Sequence, residues 1–123
     1  MRPPIPILRS FDETSTKAFY IDFLGFELTF EHRFEANTPL YMGIRRGACD
    51  LHISEHFGDS CPGSAIRIEM SGVAEYCAEL NAKKYKNARP GFQDQEWGFR
   101  DMTIKDPSGN RIIFCEPLSE LNG

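Results

Sequence analysis

No segment of this 123-residue chain is apolar for long enough to cross a membrane. The run Ile112-Ile113-Phe114-Cys115 falls far short of the ~20 residues that a spanning helix requires. Positive charge is also scarce: 14 Lys and Arg stand against 18 Asp and Glu, a net charge of −4. Nucleic-acid binders concentrate basic residues, so that class is set aside. The four cysteines (Cys49, Cys61, Cys77, Cys115) form no Cys-x-x-Cys pair, which argues against zinc knuckles and thioredoxin chemistry. Cys77 in an amphipathic run and Cys115 in an apolar one read as buried free thiols of a reducing compartment. There is no Gly-x-Gly-x-x-Gly or Walker loop to cradle phosphate, and no Gly-x-Ser-x-Gly elbow. Prolines at positions 3, 4 and 6 interrupt the amino-terminal apolar residues, so no export signal is read and a cytoplasmic protein is expected.

What the chain does have is ordinary globular composition, 41% hydrophobic and 12% aromatic, at the length of one domain. Ile5 to Ser10 reads as a strand that Pro6 confines to an edge. Asp12 or Ser15 offers a helix N-cap, and the helix stops at Gly25. Strands are expected over 26–34, 40–45 and 49–54, with Arg46-Gly47 as the turn between the last two. A linker rich in Gly and Pro follows, over 56–63. The order then repeats: a strand over 64–70, an amphipathic helix over 73–83, and strands over 99–105 and 111–116 joined by Asp106-Pro107-Ser108-Gly109. A short strand is placed at 85–88. The segment ending in Ile53-Ser54-Glu55 lines up with the one ending in Phe114-Cys115-Glu116, so that His52 matches Ile113. The expected fold is α+β: paired βαβββ modules over residues 1–123, one at about 5–57 and one at about 64–117, forming a curved mixed sheet with a concave groove and helices outside.

Five segments together carry a resemblance: Ile5-Pro6-Ile7-Leu8, Phe19-Tyr20-Ile21-Asp22-Phe23-Leu24-Gly25-Phe26, Leu51-His52-Ile53-Ser54, Trp97-Gly98-Phe99-Arg100 and Asp106-Pro107-Ser108-Gly109-Asn110-Arg111. Over nearly the whole chain they resemble the glyoxalase/bleomycin-resistance (vicinal oxygen chelate) superfamily, and most of all its bleomycin-binding branch. Enzymes of that superfamily hold a divalent metal on the concave face, and the resemblance puts their ligand positions on Ile5, His52, Arg67 and Ile113. A metal needs three or four N, O or S donors, and here one histidine remains. The expectation is therefore no metal, no cofactor, and a binding protein rather than a catalyst. An alternative is kept: a metal-dependent lyase, isomerase or dioxygenase with a displaced site near His52 and His56. On a strand those two residues lie roughly 13 Å apart.

The resemblance further implies a homodimer that exchanges its first strand about Pro6 and sequesters a planar, partly cationic, bleomycin-like antibiotic in a groove at the dimer interface. Trp97, Ser54 and Phe30 match positions of the binding branch, and Phe34 falls one residue from another. The groove face would also carry His52 and Arg67, beside Ile5, Ile7, Glu69, Ile113 and Cys115. For Arg67 and Glu69 an internal ion pair competes with a ligand role, and for Phe30 and Trp97 the core competes with the groove. A third reading is a small dimer whose partners are other proteins.

Overall fold

The structure, a computed structural model, describes residues 1–121. Its elements are β1 (Ile7–Arg9), α1 (Glu13–Lys17) with a π-helical continuation (Ala18–Phe23), β2 (Glu27–His32), β3 (Tyr41–Arg46), β4 (Cys49–Ser54), β5 (Ala65–Glu69), α2 (Val73–Ala82), β6 (Phe92–Asp94), β7 (Phe99–Lys105) and β8 (Arg111–Pro117). A short 3₁₀ turn (Leu118–Glu120) follows. The fold is α+β, two βαβββ modules with one open four-stranded sheet each, in the orders β1-β4-β3-β2 and β5-β8-β7-β6. In each sheet the outer first strand runs parallel to the module's last strand, and the other neighbours are antiparallel.

By packing, the chain forms two compact units. The first is Met1–Ser64 with Asp106–Asn110; the second is Ala65–Lys105 with the residues from Arg111 onward. In the first unit, Asp12 caps α1 by accepting the Ser15 N–H at 2.8 Å. The wider π turns then bring Phe19, Tyr20 and Phe23 to buried positions, with Phe19 and Tyr20 edge to face at 4.8 Å. Gly25 ends the helix at φ +87°, a conformation that a side chain disfavours. Leu8, Met42, Ile44, Leu51 and Ile53 complete this core, at alternate positions on their strands.

The two most distinctive sequence motifs meet here. Tyr20, from the Phe-Tyr-x-Asp helix, donates its hydroxyl to Asp106 Oδ2 at 2.6 Å. Asp106 also accepts the Ser108 and Asn110 backbone N–H groups and the Asn110 side-chain amide, while that amide donates to the Arg9 carbonyl at 2.8 Å. Burial, then the Asp106 charge, push the Tyr20 phenol far above its ordinary range. The Asp-Pro-x-Gly-Asn turn is thus a structural knot in which the buried Asp106 and Asn110 side chains are both partnered.

In the second unit, Val73, Tyr76, Cys77 and Leu80 bury one face of α2, and Tyr76 packs edge to face on Phe114 at 5.1 Å. The start of α2 is capped by a buried carboxylate: Glu116 accepts the Gly72 and Val73 N–H groups at 2.9 and 3.0 Å. Glu55, its counterpart in the internal alignment, instead accepts the Leu40 N–H. The strand expected at 85–88 is not there. Lys84 takes φ +52° just after α2, and the pairing strand comes later, at Phe92–Asp94. The first strand is shorter than expected and starts directly after Pro6, at the sheet edge.

Candidate ligand-binding site

In the first unit, one sheet face is open and aromatic. Strand alternation sends Met42, Ile44, Leu51 and Ile53 to the core, and Tyr41, Gly43, Asp50 and His52 to the opposite face. On β2 the alternation is broken by a bulge between Leu28 and Phe30, which re-phases the strand. Phe30 therefore sits opposite Gly43 on the open face, while Glu31 turns to the helix side and binds Lys17.

Gly43 makes room for that ring. A Cβ at this position would lie 2.3 Å from Phe30 Cε1, so only glycine lets the ring rest over the strand. Phe30 stacks beside Tyr41 at 6.2 Å and meets His52 edge to face at 5.2 Å. Tyr41 Oη and His52 Nδ1 share a hydrogen bond of 2.8 Å. Burial, then the nearby Asp59, raise the Tyr41 phenol, so it keeps its proton at neutral pH. The three rings form a rigid platform, and Phe30 remains 41% exposed. Beside it lies a cleft of about 400 Å³, lined by Pro3, Pro4, Ile5, Phe30 and His52 among others, with Arg2, Arg45 and Asp50 as its charged groups. Arg45 and Asp50 are paired at 2.7 Å.

The other expected site residues fall in several places. Ser54 is fully buried; its hydroxyl donates to Asp59 at 2.6 Å and accepts the His56 N–H, so its bonds serve the strand exit. Phe34 is 79% exposed and packs edge to face on His32, beyond the end of β2. Pro6 precedes β1, with its carbonyl accepting the His52 N–H at 2.9 Å. In the second unit, Trp97 lies in the β6–β7 turn and is 65% exposed. Arg67 reaches Asp101 on β7 with two parallel bonds of 3.0 and 2.8 Å, not Glu69 on its own strand. The same guanidinium lies over the Phe99 ring at 5.4 Å. Cys115, paired with Asp101 across the ladder, is buried, and burial raises its thiol above the ordinary range. Tyr41 and Gly43 were missed by the sequence reading; a glycine in mid-strand was the available signal.

A family model described as a glyoxalase superfamily protein matches residues 1–120. The chain belongs to the glyoxalase superfamily. No curated protein matches it. Among solved structures, a bleomycin-binding protein complexed with bleomycin is 26% identical, with a TM-score of 0.68, covering 94% of this chain and 98% of that one. A bleomycin resistance determinant encoded on transposon Tn5 is 24% identical, with a TM-score of 0.73 and coverage of 95% and 98%. TnmS3, an antibiotic-binding protein from Streptomyces sp. CB03234, shares the fold at 19% identity and a TM-score of 0.72, covering 95% and 97%.

The glyoxalase-superfamily metal does not fit the residues present. In the first sheet His52 stands opposite Ile7, and in the second Ile113 stands opposite Arg67, the equivalent pair. By that register the counterpart of Ile5 is Ala65, two residues from the Arg67 expected from sequence. Ile5, Ile7, Ala65 and Ile113 offer no lone pair, and Arg67 is committed to Asp101. The displaced alternative gains no support: His52 Nδ1 is bonded to Tyr41, and among the described residues no three His, Cys, Asp or Glu side chains are placed to share an ion.

Proposed function

We propose that this glyoxalase-superfamily protein is a non-catalytic small-molecule binder that stacks a planar, partly cationic ligand on the Phe30–Tyr41–His52 platform. The observation that carries this reading is Phe30 itself, a large ring held flat over a mid-strand glycine, braced on two sides and left exposed beside a cleft. A ring already locked in place loses little further freedom on binding, and its face attracts both flat ligands and cations. The bleomycin complex of a 26% identical relative supports the same class of ligand. In this reading Trp97 is a further exposed ring for the same class of ligand, and the cationic part is met by the faces of the aromatic rings, since Asp50 is held by Arg45. The protein acts as a cytoplasmic homodimer in which the first strand is exchanged about Pro6.

Bleomycin is the first probe, titrated against intrinsic fluorescence, since Trp97 is the single tryptophan. Saturable binding at micromolar drug is expected. Phe30→Ala should weaken it about 5- to 10-fold, the equivalent of losing one stacked ring worth ~1 kcal/mol. Absence of saturable binding by the wild type, or equal affinity in the variant, refutes the assignment. Sedimentation of the purified chain decides the dimer.

A further inference from the structure

The rings of the platform carry three polar atoms: Tyr41 Oη, His52 Nδ1 and His52 Nε2. The first two are spent on each other, at 2.8 Å. Nε2 has no hydrogen-bond partner, yet it is not shut away: among the described residues the one buried side-chain nitrogen or oxygen without a partner is Arg9 Nε. Nε2 therefore meets open space, and the space that His52 lines is the cleft of about 400 Å³. Of the other lining groups, Arg45 is paired with Asp50, Pro3 and Pro4 have no N–H, and Arg2 is exposed. His52, braced by Phe30, Tyr41 and the 2.8 Å bond, is already held in place.

Which way the Tyr41–His52 bond runs decides what Nε2 offers. A neutral imidazole has one N–H and one bare nitrogen, and the bond made by one nitrogen sets the state of the other. If Nδ1 were the donor, the Tyr41 proton would need a second acceptor, and among the described residues Tyr41 makes no other hydrogen bond. The nearby carboxylate, Asp59, accepts from the Ser54 hydroxyl instead. Burial raises the Tyr41 phenol, so its proton stays on Oη to be donated. A phenol oxygen is also the weaker acceptor of the two, because it shares a lone pair with its ring. With Oη as donor both atoms are satisfied, Nδ1 is the bare nitrogen and Nε2 carries the hydrogen.

Building on the platform reading above, we propose that Tyr41 locks His52 in the form with hydrogen on Nε2, and that this N–H selects flat ligands bearing an acceptor, a ring nitrogen or a carbonyl oxygen, at their edge. A ligand that presents an N–H there sets donor against donor. Isoquinoline and indole, titrated into the ¹⁵N-labelled full chain at pH 8, compare two flat bicycles of similar size, one with a bare ring nitrogen and one with an N–H. Isoquinoline should bind about 5-fold tighter, with saturable shifts at Phe30 and Gly43. The long-range ¹H–¹⁵N spectrum of His52 reads the lock without any ligand: Nδ1 should appear as the bare nitrogen and Nε2 as the protonated one. Tyr41→Phe should move Nδ1 towards the average of the two forms, and a protonation pattern unchanged in that variant overturns the lock. His52→Phe keeps a ring without an N–H and should bring the two affinities to within about 2-fold. The wild-type comparison decides the matter even where a variant does not fold. Equal or tighter binding of indole, or hydrogen on Nδ1, overturns the inference and leaves the platform standing. Binding of neither bicycle overturns the platform itself, and this inference with it.

Discussion

One added methyl group, in Gly43→Ala, tests whether the backbone builds the Phe30 platform. The new Cβ would lie 2.3 Å from Phe30 Cε1, 2.7 Å from its Cδ1 and 2.7 Å from Thr29 Oγ1. Carbon atoms rest comfortably at about 3.5–4.0 Å, so the ring has to retreat by more than an ångström. Gly43 cannot move instead, because it is laddered to Phe30 on one side and His52 on the other. Overpacking of this kind costs about 1–3 kcal/mol, and losing the ring contacts adds ~0.5–1.5 kcal/mol. The expected result in urea unfolding is a loss of about 2–3 kcal/mol, together with roughly 10-fold weaker binding of a planar ligand. In a Phe30→Ala background the two ring contacts are gone while the 2.7 Å approach to Thr29 Oγ1 remains, and the cost should fall to about half. The double-mutant cycle reads this difference as a coupling of ~1 kcal/mol or more. Equal costs in the two backgrounds, or unchanged ligand affinity in Gly43→Ala, would refute the reasoning.

Further outcomes follow from bonds described above. Tyr20→Phe removes a 2.6 Å donor from the buried Asp106 carboxylate and should lower unfolding stability by about 1.5–3 kcal/mol. Lys84→Gly relieves a side chain at φ +52° and should raise the denaturation midpoint, by the equivalent of ~1 kcal/mol. Arg67→Met leaves the buried Asp101 carboxylate without both of its guanidinium bonds and should cost about 1–3 kcal/mol by thermal melting. The Glu13 carboxyl is held below its ordinary value of 4.5 by hydrogen bonds from Lys17 and then Arg33. A lowered folded-state value means that its stabilisation is present above about pH 4.5 and is lost as pH falls through the lower folded value. Glu13→Gln should therefore flatten the acid limb of stability measured from about pH 5 down to pH 3.

The order of elements was legible because most strands alternate and the first helix carries both a start and a stop signal. Asp12, Gly25 and the Asp106–Gly109 turn act as their residue types predict. The strand placed at 85–88 failed because the real one, Phe92–Asp94, has three exposed residues and thus no burial pattern to read. The Arg67 partner was hidden for a different reason. Glu69 shares the strand face in sequence, but Asp101 becomes a neighbour only once β7 is placed, 34 residues away. The platform was half legible. Phe30 and His52 were singled out, but period-two reading cannot reveal a bulge that moves Phe30 to the face of Tyr41. At the four ligand positions that the resemblance implies the sequence offers one donor, His52, so that expectation rested on residue types rather than on geometry.

The first unit is not continuous along the chain: five of its residues, Asp106–Asn110, are encoded far downstream of the rest. A fragment ending at Ser64 would carry the Tyr20 hydroxyl without its acceptor and the Arg9 carbonyl without the Asn110 donor. The two halves of the chain are consequently not interchangeable cassettes. Shortening the hairpin tip of the later repeat, the sort of trimming that surface turns usually tolerate, would remove a keystone from the earlier one.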